Sequence, residues 1–171
     1  LVLSDEVYEH ILFDGRTHAS LLTRPELAAR SFVVSSFGKT FHCTGWKVGY
    51  CVAPPALTAE FRKVHQFVQF SVATPLQAAF ADFMIEVPGH TLELARFYQR
   101  KRDHFCGLLA QTRFRCSPSA GTYFQLADYS ALSDEPDVEF ARRLTMQHGV
   151  AAIPVSVFSS PAPVERLVRF C

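Results

Sequence analysis

A chain of 171 residues, 49% hydrophobic and 19% charged, carries enough apolar surface to build a packed core, which excludes intrinsic disorder. Its 17 basic and 16 acidic residues leave a formal charge of +1 without long runs of either sign, so there is no broad field for nucleic acid or an anionic membrane, and a small-molecule partner is expected. No apolar run approaches the roughly 18 residues of a membrane span, and five cysteines, odd in number and without a C-x-x-C pair, point to reduced thiols in a cytoplasm rather than a disulfide framework.

Residues 1–4 predict a short buried strand ending at Asp5, because a brief apolar run bounded by polar residues suits a sheet interior. Thr23-Arg24-Pro25-Glu26 marks a helix start, with Pro25 in the first turn, where a missing N–H costs little. Residues 32–34 form a second buried strand, 35–44 a polar turn and 48–52 a third strand. This alternation predicts an α/β layer with a mostly parallel sheet. Over residues 55–70, Leu57, Phe61, Val64 and Val68 recur at helical spacing and predict one buried stripe. Thr74-Pro75-Leu76-Gln77 opens a further helix, with Thr74 as cap and Gln77 completing a capping box.

Residues 90–111 predict a helix long enough to bridge two domains, with Leu94, Tyr98, Phe105 and Leu109 apolar and Arg100-Lys101-Arg102 solvated. A strand near Phe114, a strand over 122–127, a helix over 137–148 stopped by Gly149, and strands near Val150 and Leu167 make a smaller α+β unit. The boundary falls near residue 90, giving segments 1–90 and 91–171. Both ends read as core strands and no Met opens the chain, so it is expected to be part of a longer protein.

The chemistry concentrates at Ser36-Phe37-Gly38-Lys39-Thr40, after a buried strand, where open α/β sheets place their ligand sites. A triphosphate-wrapping loop needs a glycine where Val33 stands, so that reading fails. Taken alone, Lys39 in a polar turn would be a solvated lysine. What changes its meaning is the company at neighbouring strand ends: Asp5 and Tyr8 after the first strand, Ser36 and Lys39 after the second, and Lys47 before the third.

Four motifs in this order, Ser4-Asp5-Glu6-Val7-Tyr8-Glu9-His10, Ser35-Ser36-Phe37-Gly38-Lys39-Thr40, Thr44-Gly45-Trp46-Lys47-Val48-Gly49-Tyr50 and Val168-Arg169-Phe170-Cys171, resemble the fold type I aminotransferases. Order and spacing are most similar to the kynurenine and methionine aminotransferase branch, over essentially the whole chain. The resemblance implies that residues 1–90 are part of a mostly parallel-sheet large domain binding pyridoxal 5'-phosphate, and that 91–171 hold the interdomain helix and a small α+β domain. It implies that Lys39 forms the Schiff base with the cofactor and shuttles a proton at the substrate Cα. Asp5 would hold the proton on the cofactor ring nitrogen, Tyr8 would donate to its phenolic oxygen, and Ser36 and Lys47 would bind its phosphate. Lys47 stands where many aminotransferases carry Arg, giving charge without a bidentate fork. Arg169 would receive the substrate α-carboxylate.

Without the resemblance, Asp5 reads as a turn residue, Tyr8 as packing, and Arg169 as the solvent side of an alternating strand; those readings stay open here. Ala120-Gly121-Thr122-Tyr123-Phe124 resembles the family's substrate-facing loop, with Gly121 permitting close backbone approach. Seven histidines without H-x-x-x-H spacing give no metal site, and no G-x-S-x-G elbow is present. The expected function is transfer of an amino group from a methionine-, aromatic- or kynurenine-like L-amino acid to a 2-oxo acid, in a homodimeric parent. A carbon–sulfur lyase using the same cofactor, or a non-catalytic ligand-sensing domain of the same fold, are the alternatives.

Overall fold

Along β2 (Ser31–Ser36), buried Ser31, Val33 and Ser35 alternate with half-buried Phe32, Val34 and Ser36, the signature of a central strand with one well-covered face. The structure is a computed structural model describing residues 1–160 and 166–171. β1 (Val2–Asp5) pairs parallel to β2, with Asp5 opposite Val34. β3 (Gly49–Val52) pairs antiparallel on its other edge, with Ser36 opposite Gly49 and Val33 opposite Val52. The expected mostly parallel sheet is thus, among these strands, one parallel and one antiparallel pair. The reason is the connection: one helical turn, α2 (Phe37–Thr40), and a 3-10 turn, Thr44–Trp46, reverse the chain where a parallel return needs a crossover.

The chain divides into two compact units, Leu1–Ala95 and Arg96–Cys171. In the first, α1 (Pro25–Ala28) is a single turn with proline at its start, as the sequence predicts. α3 (Pro55–Val68) forms where its periodicity places it, but the predicted buried stripe is open: Leu57 is half-buried while Phe61, Val64 and Val68 are exposed. A three-stranded sheet offers this helix little to cover, and one contact with β2 is the Phe32–Phe61 ring pair, 6.2 Å apart. In α4 (Thr74–Glu86) Thr74 is the first helical residue, the cap position is Ala73, and Gln77 Nε2 donates to the Val72 carbonyl at 2.9 Å instead of closing a capping box. Phe80 of α4 is buried beneath α2, its ring 5.1 Å from Phe37, 5.5 Å from Phe41 and 5.1 Å from Trp46.

α5 (His90–Leu109) spans the division between the units. On its C-terminal half Arg102 departs from the expected solvated stretch: its side chain is 7% exposed and Nη1 donates to the Ser119 carbonyl at 2.7 Å. The second unit folds around an antiparallel sheet in the order β4 (Gln125–Asp128), β6 (Leu167–Phe170), β5 (Ile153–Pro154). β4 starts later than predicted because Thr122 is left-handed, φ 65°, and its Oγ1 accepts the Phe124 N–H at 3.1 Å, a turn that consumes the first residues. The strand expected near Phe114 is a lone bridge between Arg115 and Asp128. Ala127, Tyr129, Phe140, Val168 and Phe170 form the core, with Tyr129 stacked on Phe140 at 3.9 Å.

α6 (Asp137–His148) follows the sequence closely, ended by left-handed Gly149, φ 68°, whose N–H reaches the Thr145 carbonyl. Asp137 is buried and accepts from Ser156 N–H and Ser156 Oγ, both at 2.7 Å, which anchors the 3-10 turn Ser156–Phe158. Burial opposes ionisation of this carboxyl, but the Ser156 bonds and the backbone N–H groups of Val138 and Val155 outweigh it and hold its pKa below the ordinary value. Such a group stabilises the fold above the carboxylate range, and the contribution is lost as pH falls through its depressed pKa. Asp137→Ala is therefore expected to cost about 1.5–3 kcal/mol at neutral pH, the scale of hydrogen bonds to a charged group. In urea denaturation the gap between wild type and variant should narrow from about pH 4 downward; a gap independent of pH would remove Asp137's charge from the account.

Candidate active site

The pairing register brings the carboxyl ends of β1 and β2 and the amino end of β3 to one end of the sheet. What fixes that end is a close backbone approach. A Cβ on Gly49 would lie 2.5 Å from the Ser35 carbonyl oxygen, so no other residue fits without moving a strand. Gly38 is confined in the same way, 2.9 Å from the Thr44 Cα. Between them the segment closes on itself through Phe37 N–H to the Val48 carbonyl at 3.1 Å and Cys43 N–H to the Gly38 carbonyl at 3.0 Å.

Ser36 ends β2 and caps α2, its Oγ accepting the Gly38 N–H at 3.1 Å and donating only weakly to the Val48 carbonyl at 3.4 Å. Lys39 is half-buried on α2, between buried Gly38 and Thr40. Lys47 is exposed and left-handed, φ 56°, ψ 38°, a conformation that costs a non-glycine residue about 1–2 kcal/mol. Asp5, exposed at the end of β1, accepts the Val7 N–H on Oδ1 at 3.1 Å, so the turn role open from sequence is present. Tyr8 sits half-buried in the turn that follows, its carbonyl accepting the Ile11 N–H at 2.9 Å.

Beneath this turn Glu6 is buried, accepting from His18 Nε2 at 2.7 Å, the Leu21 N–H at 3.0 Å and Ser4 Oγ at 3.2 Å. Burial raises its pKa, but the bonds from His18, Ser20 and Leu21 prevail and keep it low. Glu9, beside Tyr8, accepts from Ser35 Oγ at 3.0 Å and from Tyr50 Oη. Five of the predicted residues, Asp5, Tyr8, Ser36, Lys39 and Lys47, thus lie on the segments that meet at one sheet end.

Arg169 belongs to the second unit. It lies mid-strand on β6, opposite Leu126 and Ile153, between core residues Val168 and Phe170 and facing away from them. It is not a solvated arginine. The guanidinium carbon is 4.1 Å from the centroid of the Phe124 ring and 4.8 Å from that of Phe158, and its buried Nε has no partner among the described residues. The guanidinium is thus flanked by two rings and keeps one buried donor unmet among the described residues. In the 120–124 loop Thr122 takes a left-handed position and Phe124 lies against the Arg169 guanidinium.

Phe158 and the Glu9 network were not foreseen. Phe158 lies in a short segment without periodicity, whereas Glu9 stands inside a quoted motif, and its partners emerge only once the β2–β3 register is known.

All of residues 1–171 match the family model for aminotransferase class I and II. The chain belongs to that family. It is similar to the methionine aminotransferase of Escherichia coli, 55% identical over 99% of this chain and 44% of the relative. A kynurenine–oxoglutarate transaminase of Dictyostelium discoideum is 38% identical over 92% of this chain and 40% of its own length. Among solved structures, one from Escherichia coli described as having a methionine aminotransferase function superposes with a TM-score of 0.94, at 54% identity, over 99% of this chain and 45% of that one. N-succinyldiaminopimelate aminotransferase from Mycobacterium tuberculosis superposes at 0.93, with 36% identity, over 99% and 44%. The chain therefore spans less than half the length of these family members.

For this aminotransferase-family chain the close approach of Gly49 gives a direct test. Gly49→Ala should destabilise by about 1–3 kcal/mol, the cost of overpacking, read in denaturation without cofactor. Gly45→Ala, where a Cβ meets nothing within 4 Å, should change stability little. Equal effects of the two would show that the β2–β3 approach is not what orders this end of the sheet.

Proposed function

We propose that the chain carries the lysine-bearing and carboxylate-binding parts of a pyridoxal-phosphate-dependent aminotransferase. Its amino donors would be L-amino acids of the methionine, aromatic or kynurenine type, and its acceptors 2-oxo acids. The observation that supports the reading is that the segments carrying Asp5, Tyr8, Ser36, Lys39 and Lys47 come to one end of the sheet, with the β2–β3 connection confined at Gly38 and Gly49. The unit Leu1–Ala95 would be the cofactor-binding part and Arg96–Cys171 the small domain. The names of the relatives, methionine aminotransferase and kynurenine–oxoglutarate transaminase, support the substrate class. We take the complete protein to be a cytoplasmic homodimer; its five cysteines, all free here, suit a reducing compartment.

The donor set suits the cofactor. Asp5 is exposed and spends one oxygen on its turn, so the other is available to hold a proton on a ring nitrogen by a charge-assisted hydrogen bond. Tyr8 would donate to the phenolic oxygen. Ser36, whose hydroxyl proton is held only at 3.4 Å, can turn it to a phosphate oxygen, and exposed Lys47 adds a point charge. Bound there, pyridoxal phosphate supplies the electron sink that lets an amino-acid Cα–H ionise near neutral pH. Lys39 provides the amine of covalent attachment and, once released from it, the base that moves a proton at the substrate Cα. Arg169 offers its open edge to the α-carboxylate, with Phe124 and Phe158 limiting the guanidinium's freedom to rotate.

In the complete protein, Lys39→Ala is expected to abolish the borohydride-reducible protein–cofactor adduct seen by mass spectrometry. Turnover should fall by at least the about 10²–10⁴-fold that a positioned base contributes. An adduct retained on the variant would refute the assignment. Arg169→Lys should raise the KM for methionine by about 10- to 100-fold, the equivalent of a charge-assisted hydrogen bond, without altering the bound-cofactor spectrum. Unchanged saturation would return Arg169 to a structural role.

A further inference from the structure

None of these roles uses Glu9. Its Oε1 accepts from Ser35 Oγ at 3.0 Å and from Tyr50 Oη, and those two residues face each other across the β2–β3 ladder. Its side chain is 23% exposed, and the imidazole of His10 lies beside it, with Nε2 3.9 Å from Oε1. Tyr50 in turn packs its ring 5.3 Å from Phe37, the first residue of the turn that carries Lys39. Partial burial first, and then the Glu9 carboxylate, push the Tyr50 phenol up, so it stays a donor to Glu9 across the physiological range.

Strands already joined by a backbone ladder gain little from a partly buried carboxylate held by neutral hydroxyls, because desolvation offsets much of the attraction. Apolar contact would hold them together equally well. What two directional bonds add is orientation. Glu9 is covalently next to Tyr8, so fixing its side chain to β2 and β3 fixes the rotation of the Tyr8 turn against the Lys39 turn.

We infer that Glu9 is a positioning residue for the reaction, holding the Tyr8 hydroxyl in place relative to Lys39 through Ser35 and Tyr50. The inference rests on the reading of Tyr8 and Lys39 given above. It predicts that Glu9 acts through the Tyr8 hydroxyl, which a merely structural residue would not do.

The test is a double-mutant cycle in the complete holoenzyme with Glu9→Ala, Tyr8→Phe and their combination. Three readouts are followed: kcat and KM for methionine, the pH midpoint of the bound-cofactor absorption band, and the melting temperature without cofactor. Glu9→Ala should lower kcat by about 10- to 100-fold, the range for small misplacement of a reacting group, with KM moved less than about twofold. In the Tyr8→Phe background the same substitution should lower kcat less than about twofold and leave the midpoint where Tyr8→Phe alone puts it. Glu9→Gln, which keeps an acceptor oxygen, should recover most of the loss. Tyr50→Phe, which keeps the ring on Phe37 and removes only the hydroxyl, should show the same dependence on Tyr8. Equal fold-losses in both backgrounds, or a loss in kcat that tracks melting temperature alone, overturn the inference and leave Tyr8's role standing. A Tyr8→Phe enzyme with normal kcat and midpoint overturns the role of Tyr8 and the inference with it.

Discussion

The N-terminal unit depends on the approach of the Gly49 backbone to Ser35 and Ser36, closer than any side chain permits. That contact sets the β2–β3 register, which puts the Val48 carbonyl within reach of Phe37 N–H and Ser36 Oγ, and Tyr50 opposite Ser35. Lys39 and Lys47 are thereby held on one short closed segment. Its tightness has a cost, because His42 and Lys47 are both left-handed at φ 56°. Each position costs a non-glycine residue about 1–2 kcal/mol. The ring contacts of Phe37 and Phe41 with Phe80, and the stack of Phe41 on His90 at 5.3 Å, are of the kind worth about 0.5–1.5 kcal/mol per aromatic pair and offset that strain. His90 adds a 2.7 Å bond from Nε2 to the Thr40 carbonyl, tying the end of α2 to the start of α5.

How much of this was legible depended on the range of the interaction. α6 was readable to the residue because its start, periodicity and Gly149 stop are local. α3 was readable as a helix but not as an exposed one: a 3.6-residue period identifies an apolar face and says nothing about what lies opposite it. β4 was placed too early because Thr122 has high strand preference, yet its hydroxyl offers the backbone a competing turn. The antiparallel direction of β3 escapes the sequence for a related reason. Strand alternation does not reveal whether a connection crosses over or turns back, and here a 3-10 turn decides.

The candidate site divides in the same way. Lys39, Asp5 and Arg169 are candidates through motif order, while the contacts of Glu9 and Phe158 and the constraint on Gly49 emerge only from the fold. At Asp5 the turn contact found in the structure does not exclude the functional reading. Its Oδ1 makes an ordinary turn contact with Val7, and that contact is what orients the carboxylate at the strand end. A turn residue with one committed oxygen is better positioned than a free one, since its rotamer is already chosen before any ligand arrives.

Arg169 carries the argument one step further. Two-residue alternation correctly puts it on the face of β6 away from Val168 and Phe170, and on that ground alone it would be solvated. What the alternation misses is the cover. Phe124 follows from the left-handed Thr122 turn, and Phe158 ends a 3-10 turn whose first residue, Ser156, is bound twice by buried Asp137. The turn that carries the second ring is therefore bonded to a carboxylate on a different element, α6. An interaction that stabilises the unit also bears on the surroundings of Arg169. Removing the ring would free the guanidinium to rotate, and removing the Asp137 bonds would loosen the turn that holds the ring. The preorganisation of Arg169 thus comes from packing around it and not from the strand it sits on.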